Sequence, residues 1–140
     1  DAPGTAAQLF EELADQAISI RLIIQSASSE DRARITFILD EEFVASASVV
    51  LERWKTEGLT SDVLIEGDVA KISIVGSRLG STPGLAARMF KTLAAEGINI
   101  DCISSSEMKV ACVIGSSCLD RAVKAVHAEF FKVKPEVVAG

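Results

Sequence analysis

Two short stretches of this chain repeat a pattern with chemical potential. Asp1-Ala2-Pro3-Gly4-Thr5-Ala6-Ala7 recurs, 80 residues on, as Ser81-Thr82-Pro83-Gly84-Leu85-Ala86-Ala87. Proline removes a backbone donor that a helix start leaves unpaired anyway. Glycine lets a ligand come close to the backbone, and the remaining amides point outward. With the helix dipole, such a corner makes a small anion site suited to a carboxylate or a phosphate. Pro-Gly is also common helix punctuation, so recurrence in both copies gives the pattern its weight. A second element is Ile98-Asn99-Ile100-Asp101. On a strand, Asn99 and Asp101 share one face and Ile100 points away. Asp101 suits an ammonium and Asn99 suits either end of an amino acid. Corner amides and an acid together match a zwitterion.

No catalytic constellation accompanies these elements. The single histidine, His127, falls mid-helix among polar neighbours and reads as surface. Ser104-Ser105-Ser106-Glu107 has no base nearby in sequence. Neither a Walker A signature nor G-x-G-x-x-G occurs. Cys102, Cys112 and Cys118 are an odd set without CxxC or a neighbouring histidine, which argues against a disulfide scaffold and a zinc site. Cys102 and Cys112 read as small core side chains. Cys118 lies near a helix start, where a thiol pKa can fall. Arg78 and Arg88 flank the second corner and could assist an anion. No catalytic residue and no metal ligand is assigned.

The elements that must position the corners emerge from the repeat. Asp1–Ile20 aligns with Ser81–Ile100, with Pro, Gly, Ala, Ala, Phe, Leu, Ala, Ile and Ile identical. An offset of that size is a small domain, not a solenoid unit. In the second copy, 70–77 alternates as a strand. Pro83 then suits the first helical position, with Thr82 or Ser81 as N-cap. Leu85, Met89, Phe90 and Leu93 recur at helical spacing, and Gly97 ends the helix. Strands follow over 98–104 and 109–114. A helix from Ser117 buries Leu119, Val123, Val126 and Phe130, and a last strand covers 135–138. The first copy predicts a helix over 3–16, strands over 18–26 and 33–39, a helix over 42–54 and a strand over 62–66. Ser28–Arg32 reads as a polar hairpin tip longer than its counterpart.

The order β-α-β-β-α-β is the ferredoxin-like split sandwich, an antiparallel sheet with helices on one face. The expected class is therefore α+β, with two domains over residues 1–67 and 68–140. No strand precedes Asp1 in this sequence. The first copy's first strand is expected to belong to a longer chain, to be disordered or cut away, or to come from another copy.

Composition narrows the function classes. A net charge of −6 argues against nucleic-acid or anionic-membrane partners. With 49% hydrophobic and 24% charged residues, a packed core is expected and disorder is not. No apolar run reaches the roughly 18 residues of a membrane span, and no secretory signal is visible. The cysteine usage points to the reducing cytoplasm.

These residues resemble a known family. KISIVGSRLGSTPGLAARMFKTLAAEGINIDCISSSEMKVACVI, residues 71–114, is similar to the second ACT domain of aspartate kinase, and residues 1–54 resemble the first of the same tandem pair. The resemblance implies an amino-acid-binding regulatory module. It would mediate feedback inhibition by threonine, lysine or both in aspartate-family amino-acid biosynthesis. One implied site joins Asp1, Pro3, Gly4, Thr5, Ala6 and Gln25 to Asn99, Ile100 and Asp101, with threonine favoured there. A second joins Ser81, Thr82, Gly84, Leu85 and Ala86 to Ser19, Ile20 and Arg21, with Ser106 and Glu107 as additions. The chain departs from the family pattern in the first copy, where Ser19-Ile20-Arg21 replaces Asn-Ile-Asp and Ser26 replaces Asn. The kinase part, with its K-F-G-G-[TS] motif, is not in this sequence. ATP and magnesium would belong to that part, so no cofactor is implied for this chain. Expected partners are an amino acid, a kinase domain or catalytic subunit, and a second copy in a homodimer. Alternatives are a sensor subunit of a different biosynthetic enzyme, or an assembly module with non-functional sites.

Overall fold

The computed structural model describes residues 3–28, 32–79 and 81–131. The chain divides into two compact units, Asp1–Gly67 and Asp68–Gly140. Unit 1 contains α1 (Thr5–Asp15), β1 (Ile20–Ser28), β2 (Arg32–Leu39) and α2 (Val44–Thr56). Unit 2 contains β3 (Val69–Val75), α3 (Leu85–Ala95), β4 (Cys102–Ser105), β5 (Lys109–Gly115) and α4 (Leu119–Phe131). A single 3-10 turn leads into each second helix, Glu41–Phe43 into α2 and Ser116–Cys118 into α4. The two units are α+β, with antiparallel sheets and two helices each.

In unit 2 the central strand is β5, flanked by β3 and β4. Its run Val110–Ile114 is buried throughout, as a strand with a neighbour on each side should be. Val110, Cys112 and Ile114 alternate with Ala111 and Val113, and the first three join Ile72, Met89, Leu93, Ile98, Ala122 and Val126 in one core. Val123 was expected in that core but is 47% exposed. The stripe runs through Ala122 and Val126, four apart on the helix, and Val123 falls beside it. Burial, which disfavours the charged thiolate, pushes the Cys112 thiol up to about 11.

Unit 1 builds a smaller core from Leu9, Leu13, Ile18, Ala47, Val50 and Trp54. Phe10 meets Phe37 edge-on at 5.8 Å. Glu12 staples the two helices, accepting from Trp54 Nε1 at 2.8 Å and pairing with Arg53. Among the described residues its sheet has two strands, and the strand expected over 62–66 does not form. In the β-α-β-β-α-β order the closing strand pairs with the opening one, and no strand precedes α1 among the described residues. Leu64 and Ile65 therefore stay exposed, because a strand is stable only as part of a ladder. The expected strand over 135–138 lies outside the described residues.

The hairpin of unit 1 also differs from expectation. β1 and β2 pair as far as Ser28 opposite Arg32. The extra length relative to unit 2 therefore goes into the arms. The expected tip residues 29–31 lie outside the described residues.

Candidate functional site: two proline-glycine corners and two strand starts

Both corners adopt one geometry. Gly4 has φ 94° and ψ −9°, and Gly84 has φ 84° and ψ −1°. These are the values of the third residue of a type II turn, which takes proline just before it. Pro83 is thus a turn residue and not the first helical residue, and the N-cap is Gly84, not Thr82 or Ser81. The hydroxyls of Ser81 and Thr82 instead donate back to the Arg78 carbonyl at 3.2 and 2.9 Å. Helices α1 and α3 begin one residue after the glycine, and neither N-cap glycine has a side chain with which to cap its helix. The glycine carbonyls accept the first helical bonds, from Gln8 and Arg88, each at 2.9 Å. A Cβ on either glycine would meet nothing within 4 Å. Backbone conformation, not crowding by the described residues, demands glycine here.

Around each corner the burial repeats. Pro3 and Gly4 are exposed with Thr5 and Ala6 half-buried, as Pro83 and Gly84 are exposed with Leu85 and Ala86 half-buried. Asp1 lies outside the described residues. Arg88 does not serve the corner. Its guanidinium contacts the Glu129 carboxylate at 3.3 Å and the Glu129 carbonyl at 3.1 Å, and lies 4.7 Å from the Phe130 ring centroid.

The strand starts also repeat. Helices α1 and α3 end in the same bonding pattern. Ile18 N–H reaches the Leu13 carbonyl as Ile98 N–H reaches Leu93, each at 3.0 Å. The left-handed residue between helix and strand is Ala17 in unit 1 and Gly97 in unit 2. Asn99 and Asp101 are then exposed while Ile100 packs inward. They were expected within a strand, but β4 begins only at Cys102. Their alternation survives because Asp101 N–H donates to the Val113 carbonyl at 2.8 Å, extending the β5 edge by one bond. In unit 1, Ser19 and Arg21 are exposed while Ile20 packs inward. The register slips between Ile20 and Leu22, which makes Arg21 an extra, bulged residue. Arg21 Nη2 lies 2.8 Å from Asp40 Oδ2, and Nε lies 3.3 Å from both carboxylate oxygens. This bond and charge raise the Arg21 pKa and hold the Asp40 carboxyl below its ordinary value.

Gln25 is exposed on β1 opposite Ile35. Ser106 and Glu107 are exposed in the β4–β5 turn, which Ser106 N–H closes on the Lys109 carbonyl at 2.8 Å. Asp40 is the residue that sequence reasoning missed. Its signal was an acid directly after a strand whose partner carries an arginine. Among the described residues no cluster of histidine, cysteine or acidic side chains could hold a metal ion, and no helix is long and apolar enough to cross a membrane.

The ACT domain family matches residues 1–53 and 72–130. An aspartokinase of Thermus thermophilus is 36% identical over 132 residues, covering 93% of this chain and 32% of its own length. The chain thus spans about a third of the curated relatives it matches. The crystal structure of the regulatory subunit of aspartate kinase from Thermus flavus superposes with a TM-score of 0.82 at 36% identity, covering 93% of this chain and 86% of that one. That of aspartate kinase from Synechocystis superposes with a TM-score of 0.87 at 36% identity, covering 100% of this chain and 25% of that one. The chain belongs to the ACT domain family, as a tandem pair like those of aspartokinase regulatory subunits.

Proposed function

We propose that this chain is the amino-acid-binding regulatory module of an aspartate kinase, acting in the cytoplasm in feedback inhibition by threonine, lysine or both. One observation carries the reading: a Pro-Gly corner occurs twice, each with glycine in the left-handed region and, among the described residues, open space beside its Cα. Amides at such a corner suit a carboxylate. The ligand's ammonium is received by Asp101, with Asn99 beside it. The residues proposed for effector binding are Asp1, Pro3, Gly4, Thr5, Ala6 and Gln25 in unit 1 and Asn99, Ile100 and Asp101 in unit 2.

The regulatory partner is a kinase domain or catalytic subunit, and the module is a homodimer. The ligand acts by shifting a population. It moves the enzyme only by its differential affinity for two arrangements, about 1–3 kcal/mol of coupling. A thermal-shift screen against the common amino acids tests the reading, since a ligand at 100 times its Kd stabilises by about 2.7 kcal/mol. Calorimetry should show threonine or lysine binding abolished by Asn99→Ala and by Gly4→Val, with the far-UV circular dichroism unchanged. Unchanged binding in both variants refutes the site; no shift with any amino acid refutes the function.

A further inference from the structure

The repeat allows the two strand starts to be compared residue by residue. Arg21 holds in unit 1 the exposed position that Asp101 holds in unit 2. A second exchange accompanies it on the neighbouring strand. Asp40 follows Leu39 at the end of β2, in the place where Gly115 follows Ile114 at the end of β5. The neighbouring 3-10 turns and helices confirm this alignment, since Val44–Thr56 recurs 75 residues on as Leu119–Phe131. The exchanged residues find each other: the Arg21 guanidinium grips the Asp40 carboxylate through Nη2 at 2.8 Å and through Nε at 3.3 Å. The strand start with Asp101 thus presents a carboxylate, while the one with Arg21 presents a neutralised pair.

We infer that Arg21 and Asp40 close the strand start of unit 1 to a ligand ammonium, so that the chain takes a free amino acid only through the Asn99–Asp101 strand start. The inference rests on the amino-acid-binding reading above. An incoming ammonium meets a like charge at Arg21, which opposes it. The acid paired with Arg21, Asp40, is already held by a tethered cation at high effective concentration. As an exposed ion pair it contributes little to stability. Discrimination needs only a difference in affinity, and an introduced repulsive charge supplies it. The backbone permits the exchange in either direction. Gly115 has an ordinary φ of −60° and ψ of 136°, and a Cβ there would meet nothing within 4 Å.

Isothermal titration with L-threonine and with L-lysine tests this. The wild-type chain should take about one equivalent, and Arg21→Asp/Asp40→Gly about two, because the like-charge barrier is gone. The reciprocal exchange, Asp101→Arg/Gly115→Asp, should weaken wild-type binding by about 10-fold or more. About two equivalents in the wild type would overturn the inference, as would no gain of binding in a natively folded first variant. Should that variant misfold, the reciprocal exchange decides, and undiminished affinity there overturns the inference. A silent wild type with a binding first variant leaves the closure standing and removes the amino-acid reading for the Asn99–Asp101 strand start. Silence in both removes the amino-acid reading and the inference with it.

Discussion

Unit 1 and unit 2 share a local design and differ in how much tertiary structure supports it. Both open a helix at a Pro-Gly corner, end it in the same six-residue bonding pattern, and enter a second helix through a 3-10 turn. Among the described residues unit 2 adds a third strand, and its central strand is buried on Val110–Ile114. Unit 1 relies on a two-stranded hairpin with longer arms and on Trp54, held by Glu12. The lesson is that duplicated sequence conserves turns and caps, which are local, more readily than pairing, which needs a partner.

The largest expected effect comes from emptying equivalent core positions. Leu13 and Leu93 are both fully buried. Each change to alanine should cost about 2–5 kcal/mol in chemical denaturation, with Leu93→Ala the more damaging. The three-stranded unit has less freedom to collapse around a cavity; equal losses would show that the third strand adds no rigidity. Next in size is Gly84→Ala, which forces a Cβ into a left-handed conformation at a cost of about 1–2 kcal/mol. The same change at Gly4 should cost the same, since the two φ values differ by only 10°.

Cys112 separates the units at alkaline pH. Its folded pKa lies above the thiol's ordinary 9.0, so the folded state retains the proton longer than the unfolded one. Stability from this group is complete below about pH 9 and falls as pH rises towards 11. Cys112→Ala should flatten that part of a stability-versus-pH curve.

The helix ends give a smaller effect of opposite sign. Ala17 has φ 56° where Gly97 has φ 69°. Ala17→Gly should raise the melting temperature by an amount equivalent to about 0.5–1 kcal/mol, and Gly97→Ala should lower it similarly. The smallest effect is at Arg21–Asp40. The Asp40 pKa is depressed, so its contribution is present above the ordinary carboxyl pKa and is lost as pH falls through the folded value. Asp40→Asn should remove a slight acid-side slope in thermal melts, and that slope should be weaker at high salt.

Much of the site was legible because it is local. Pro-Gly before a helical pattern announced each corner, and Asn99-Ile100-Asp101 announced an alternating exposed pair. The helix start was misplaced by two residues, since composition does not distinguish a helix's first residue from a turn leading into it; φ at Gly84 does. The Arg21–Asp40 pair joins residues 19 apart in sequence across a strand pair, and only the register brings them together. The strand expected over 62–66 had a short apolar run, Val63-Leu64-Ile65, and lacked a neighbour.

The order of the repeats, the two corners and the acidic character were set by sequence alone, because they can be read along the chain without knowing which elements pair. Which strands form ladders, where β1 bulges, and which charges neutralise one another were decided by tertiary structure. A backbone amide or a guanidinium takes whichever partner the fold delivers, and the distance along the chain does not reveal that partner.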